Sequence, residues 1–193
     1  LVGDLPAVLL CHPEPHLGGT MASPVIEAIV RGLTERGFLT LRFNYRGIGE
    51  SEGESGLGAG ELEDAKAALK ALRSWPGVDR NKVAIVGYSF GAGIAVRLAL
   101  REKKAVRASV AVSPPLTLPP LGIRDVKGID SLGRPMLVLI GEKDGLTPPA
   151  QLQEWVEGLD NPSVQVMIAP DADRSWEGKR INLTNRIARF LDE

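Results

Sequence analysis

Apolar residues fall along this chain in two alternating kinds of segment. The first kind is a short run rich in aliphatic and β-branched residues. Such runs are Ala7-Val8-Leu9-Leu10-Cys11, Phe38-Leu39-Thr40-Leu41-Arg42-Phe43, Val83-Ala84-Ile85-Val86, Ala108-Ser109-Val110-Ala111-Val112, Met136-Leu137-Val138-Leu139-Ile140 and Val164-Gln165-Val166-Met167-Ile168. Most are continuously apolar, the pattern of strands buried on both faces. The second kind has helical spacing. Ile26, Ile29, Val30 and Leu33 share a face after Ser23-Pro24, a cap followed by a first-turn proline, and Gly37 is a natural stop. Ala65, Ala68, Leu69 and Leu72 repeat that spacing until Trp75-Pro76-Gly77. Gly91, Ala92, Gly93, Ala95 and Ala99 give a further helix a slim face for close packing, and two more helices are predicted near 149–159 and 179–191. This alternation predicts one α/β domain over residues 1–193. It is a doubly wound, predominantly parallel sheet of about six strands with helices on both faces.

One segment breaks the rhythm. Residues 113–135 carry Pro114, Pro115, Pro119, Pro120 and Pro135, which argues against a long helix. The segment leaves the C-terminal end of a strand, where doubly wound sheets keep their ligand sites. Its Leu116, Leu118 and Leu121 either form an apolar lip over a pocket or tuck onto the core. It is too short for a large lid.

Bulk properties narrow the function class. The length of 193 residues suits one domain, and 44% hydrophobic with 24% charged residues is close to soluble averages. A net charge of -1 leaves no electrostatic footprint for nucleic acid or an anionic membrane, and no stretch is long and apolar enough to span a bilayer. Neither nucleic acid nor a membrane is an expected partner, and the oligomeric state is left open. Cys11 is the only cysteine, which excludes an internal disulfide and a thiolate cluster, and no other residues have metal-ligand spacing. Neither metal nor cofactor is expected. A reducing cytoplasm is the default compartment. Residue 1 is a leucine, which leaves room for a leader or leading strands ahead of it.

The chemistry centres on Gly87-Tyr88-Ser89-Phe90-Gly91. Gly-x-Ser-x-Gly matches arise by chance in a chain with 22 glycines, but this one lies between an apolar strand and a small-residue helix. In that context the motif means a strained turn presenting a serine hydroxyl. Two further positions fall at later strand ends, Asp144 after the fifth and Arg174 after the sixth. Nucleophile, acid and base follow one another in that order in α/β-hydrolases. A serine used in this way needs an imidazole to take its proton. The only histidines, His12 and His16, lie far upstream.

The motifs together resemble a small, lid-poor member of the α/β-hydrolase superfamily, on its dienelactone-hydrolase-like side. Cys11-His12-Pro13-Glu14-Pro15-His16-Leu17-Gly18-Gly19 resembles a segment found there after the first core strand, and Asn44-Tyr45-Arg46-Gly47-Ile48-Gly49-Glu50-Ser51 resembles the loop after the next. Gly141-Glu142-Lys143-Asp144 is similar to the acid loop. Asp171-Ala172-Asp173-Arg174-Ser175-Trp176-Glu177-Gly178-Lys179 resembles the histidine loop, with arginine at the histidine. The resemblance implies Ser89 as nucleophile, Asp144 as the orienting acid, and the backbone N–H groups of Phe90 and Glu14 as oxyanion donors.

Arg174 departs from that pattern chemically. A guanidinium stays protonated far above neutrality and cannot accept the serine proton. An ion pair with Asp144 is expected instead, with an N–H turned towards Ser89. His12 and His16 are the candidates for a displaced base, His12 having a structural alternative in which it fixes its loop; Asp173 is a weaker third. Glu14 is a second departure, since a carboxylate beside a developing oxyanion is unhelpful unless it turns away or pairs with a cation. Arg46 reads as a surface charge or a structural salt bridge, Trp155 as core, Trp176 as pocket wall or packing, and Cys11 as buried. Two functions follow. One is a serine hydrolase of ester-like or related acyl substrates, weakened or altered by Arg174; the other is a non-catalytic protein that binds a small anionic or acyl ligand or a partner.

Overall fold

The computed structural model describes residues 4–56, 58–118 and 122–193. Its strands are β1 Leu5–Cys11, β2 Leu39–Arg42, β3 Val78–Tyr88, β4 Ala108–Val112, β5 Met136–Lys143 and β6 Val164–Asp173. They form one sheet in the order β2-β1-β3-β4-β5-β6, every pair parallel. The helices are α1 Pro24–Thr34, α2 Ala59–Ser74, α3 Phe90–Arg101, α4 Pro149–Glu157 and α5 Arg180–Asp192. From β1 the chain goes first to one side, into β2, and then to the other, into β3. The crevice at the C-terminal ends of β1 and β3 is thus the point where strand order reverses.

Strand alternation divides the core into layers. Val8, Leu10, Val86, Val110 and Leu139 face α1 and α5. Ala7, Leu9, Cys11, Val83 and Ile85 point the other way, onto α2 and α3. Met136, Val138 and Ile140 pack with Leu152 and Val156 of α4 and with Leu116, Ile123, Val126 and Ile129. Each of these Val, Leu, Ile and Met side chains, fully buried, stabilises the fold by about 1.5–3 kcal/mol. Among the described residues no helix is long and apolar enough to cross a membrane.

The structure extends several predicted elements. β3 starts at Val78, not Val83, because its register against β1 jumps from Leu5↔Val78 to Ala7↔Val83. The four polar residues Asp79-Arg80-Asn81-Lys82 bulge there, which hid the strand's start from the apolar pattern. β6 continues to Asp173, paired with Lys143, with Asp171 at φ 56°. Ser23 does hold the N-cap position of α1, but its hydroxyl accepts from Thr20 N–H at 3.1 Å and not from the helix's own amides.

Among its described residues the irregular segment contains two short 3-10 turns, Ile123–Asp125 and Ile129–Ser131. Leu116 is tucked into the core and Leu118 is exposed, while Pro119, Pro120 and Leu121 lie outside the described residues. Trp155 is partly buried against the α4 layer and Trp176 is fully buried. Arg46 is a structural ion pair, its guanidinium reaching Asp64 at 2.8 Å.

Candidate active site

The serine turn is built by two glycines. A Cβ on Gly87 would collide with the Gly91 carbonyl, and one on Gly91 with the carbonyls of Cys11 and His12. These close approaches let α3 start directly above the sheet, with Ser89 as its N-cap residue. Ser89 is held at φ 55° and ψ -118°, a backbone region costly for any residue with a side chain. Its N–H donates to Val112 O at 2.9 Å and its carbonyl accepts from Ala92 N–H at 3.0 Å. Phe90, buried beside it, is the first residue of α3, and a first-turn N–H has no partner within its own helix.

Asp144 follows β5 and its side chain is wholly buried. Oδ1 accepts from the N–H groups of Leu146 at 3.0 Å and Thr147 at 3.1 Å. Arg174, after β6, completes the set. Its Nη1 donates to Oδ1 at 3.1 Å and to Oδ2 at 3.2 Å, while Nη2 donates to Ser89 Oγ at 2.8 Å. One guanidinium thus bridges the buried carboxylate and the serine hydroxyl. A donor occupies the place from which a base would have to accept.

Several contacts fix the arginine and the acid. Tyr88, the first variable residue of the serine motif, donates its O–H to Arg174 O at 3.0 Å. Trp176 adopts φ 56° and donates its indole N–H to Ser113 Oγ at 3.1 Å, and Ser113 is itself at φ 43°. Thr147 Oγ1 donates to Pro114 O at 2.8 Å. The turns after β4, β5 and β6 are therefore pinned to one another beneath the site.

The histidines stand apart from this constellation. His12 is buried, its Nδ1–H donating to Pro13 O at 2.7 Å and its Nε2 accepting from Tyr45 N–H at 3.2 Å. Both ring nitrogens are committed to backbone groups, which fixes the tautomer and the loop. Burial depresses its pKa below the usual histidine value, although the bond to Pro13 acts in the opposite direction. A displaced-base role for His12 thus meets a physical obstacle, since neither nitrogen is free for Ser89. His16 lies exposed on a 3-10 turn, Pro15–Leu17.

Glu14 caps that turn, its carboxylate accepting from His16 N–H at 3.2 Å. Asp173 accepts from the Ser175 hydroxyl at 2.8 Å, which holds its carboxyl below the ordinary range and makes it a poorer base. Cys11 is inert by burial, its thiol pushed up to about 12. Among the described residues no group of His, Cys, Asp or Glu is arranged to hold a metal ion.

Ser89 opens into a cleft of about 270 Å³, lined also by Tyr88, Glu14, Leu17, Ser175 and Arg180. Arg180, the first residue of α5, was not singled out by the motifs. Its Nε is buried without a hydrogen-bond partner among the described residues. Only its position at the predicted start of the last helix, six residues past Arg174, could have drawn notice to it.

Comparison with known proteins agrees with the fold. Residues 6–130 match the model of the alpha/beta hydrolase fold family. An uncharacterised protein of Rickettsia prowazekii is 32% identical over 166 residues, covering 86% of this chain and 68% of its own length. A solved alpha-beta serine hydrolase homologue from Coxiella burnetii superposes with a TM-score of 0.85 at 30% identity, over 98% of this chain and 86% of that one. A serine hydrolase without a lid from Xanthomonas campestris gives a TM-score of 0.82 at 26% identity, over 98% and 83%. The family match takes in four of the six strands and the serine turn, and on that ground the chain belongs to the alpha/beta hydrolase fold family.

Proposed function

We propose that this chain is a serine-hydrolase-type protein for ester or related acyl substrates, in which Arg174 occupies the place of the base and leaves Ser89 weakly reactive. The observation that carries this reading is the single guanidinium donating to both Asp144 and Ser89 Oγ. Ser89 would be the nucleophile and Asp144 the acid, with the N–H groups of Phe90 and Glu14 as oxyanion donors. Loss of the base from a working triad costs on the order of 10⁶ in turnover, while roughly 10³–10⁴ over water survives through the oxyanion hole and binding. Slow, base-free hydrolysis is the expected activity.

The resemblance to the dienelactone-hydrolase-like subtype and the substitution of arginine for histidine support the same reading. Hydrolysis of p-nitrophenyl acetate by the unaltered chain, Ser89→Ala and Arg174→His tests it. Arg174→His should gain at least about tenfold in a Ser89-dependent rate. Fast turnover by the unaltered chain, lost in Ser89→Ala, would show that another base serves the serine.

One observation favours a second reading, a binder of small anionic or acyl ligands. Arg180 places an unpartnered, buried Nε–H in the wall of the Ser89 cleft. A buried donor without a partner is costly, and a ligand's oxyanion would satisfy it. On this reading Arg174→His restores no hydrolysis, and Arg180→Gln weakens retention of small carboxylates. A cytoplasmic setting and a small-molecule partner are part of both readings.

A further inference from the structure

A second cavity lies at the other end of the sheet. A groove of about 490 Å³ runs between the second half of α2, the end of α3 and the bulge of β3. It is lined by the cations Lys66, Lys70, Arg73 and Arg80 and by the carboxylates Glu63 and Glu102. Both carboxylates are already taken. Glu63 pairs with Arg101, outside the groove, and Glu102 pairs with Lys66 at 3.5 Å. Asp79, next to Arg80, is used by Lys82 at 3.4 Å.

Lys70, Arg73 and Arg80 therefore join no ion pair among the described residues. Three uncompensated cations in one groove stand out on a chain whose net charge is -1. Arg80 donates from Nε to Arg73 O at 3.1 Å, which holds the two arginines side by side. Arg73 Nε is buried with no hydrogen-bond partner among the described residues. This arrangement has a cause in the sequence: the bulge at 79–82 throws Arg80 off the sheet, and Lys70 and Arg73 project from the last turns of α2. Between them Leu69 and Ala67 provide apolar wall.

We propose that this groove is an anion-binding site, separate from the Ser89 cleft, for a small phosphorylated organic molecule. The phosphate lies against Lys70, Arg73 and Arg80, where the two guanidiniums offer forked donors and the lysine a point charge. The apolar part lies on Leu69 and Ala67. The cavity is large enough for a ligand of that kind. Because β3 spans the sheet between the two sites, the phosphate sits on the order of 20 Å from Ser89 at the rise of a parallel strand. The ligand is thus bound without approaching the serine.

The test is a titration of the full chain with inorganic pyrophosphate, followed by two-dimensional NMR at low salt. Saturable shifts confined to residues 66–80 and 102–105 are expected, with affinity falling as salt rises. Arg80 is exposed and its replacement spares the core, so Lys70→Gln/Arg80→Gln should fold normally and bind at least tenfold more weakly. Arg73→Gln should do the same if it folds. Absence of saturable shifts, equal affinity in the double variant, or shifts gathered around Ser89 would overturn the proposal. Binding of single-stranded RNA oligonucleotides in place of pyrophosphate would overturn the small-molecule assignment.

Discussion

At the scale of single residues, one guanidinium carries the proposed chemistry. Arg174 satisfies the buried Asp144 and donates to Ser89, and on the reading proposed above this holds the serine without activating it. The identity of Arg174 was legible in the sequence, since any residue at that strand end is due to meet Asp144. What spacing could not give was the support from Tyr88 and from the Trp176–Ser113 bond, which joins residues 63 positions apart. His12 shows a similar limit. Its nearness to the serine strand was readable, but the commitment of both ring nitrogens to backbone groups was not. Because burial depresses its pKa, an NMR titration should place His12 below the ordinary value near 6.5. The pH–rate profile should accordingly lack a limb at pH 6–7 that is removed by replacing His12.

At the scale of elements, the serine turn depends on how closely α3 approaches the sheet. The small residues Gly91, Ala92 and Ala95 announced a slim helix, and the structure gives the reason at Gly91. Its missing side chain leaves room for the carbonyls that end β1. These neighbours are backbone atoms and cannot swing aside, so Gly91→Ala should cost about 1–3 kcal/mol by overpacking. For a domain of this size that lowers the melting temperature by roughly 2–12 °C, readable by calorimetry. An unchanged melting temperature would mean that α3 shifts away at little cost.

The same scale shows where apolar patterning stops being informative. Every strand core was legible because the sheet is covered on both faces. The bulge of β3 and the far end of β6 were not, since Asp79-Arg80-Asn81-Lys82 in the one and Pro170-Asp171 in the other interrupt the apolar run.

At the scale of the molecule, loops on the active-site face are tied down by buried charge. Burial alone would raise the Glu61 carboxyl, but Ser55 Oγ at 2.6 Å and the amides of Gly56 and Gly58 hold it below the usual range. Asp64 is likewise held low against its own burial by Arg46. Carboxyls depressed on folding contribute stability that is present above their unfolded values near 4 and lost as pH falls through the folded ones. His12 acts earlier. Its folded pKa lies below the unfolded value, so the unfolded chain takes up the proton first and stability declines once pH drops below about 6.5. Melting temperatures measured from pH 8 to 3 should therefore fall in two stages, the first starting near pH 6.5 and the second below about pH 4.5. A single acid stage would contradict the buried, neutral His12.

Restraint of Ser89 by Arg174 is the central proposal. Labelling with a fluorophosphonate probe tests this directly in the unaltered chain, Ser89→Ala and Arg174→His. Labelling of Arg174→His is expected to be at least about a hundredfold faster than of the unaltered chain, with none at position 89 in Ser89→Ala. Rapid labelling of the unaltered chain at Ser89 would contradict it, because the serine would then be activated with the guanidinium in place.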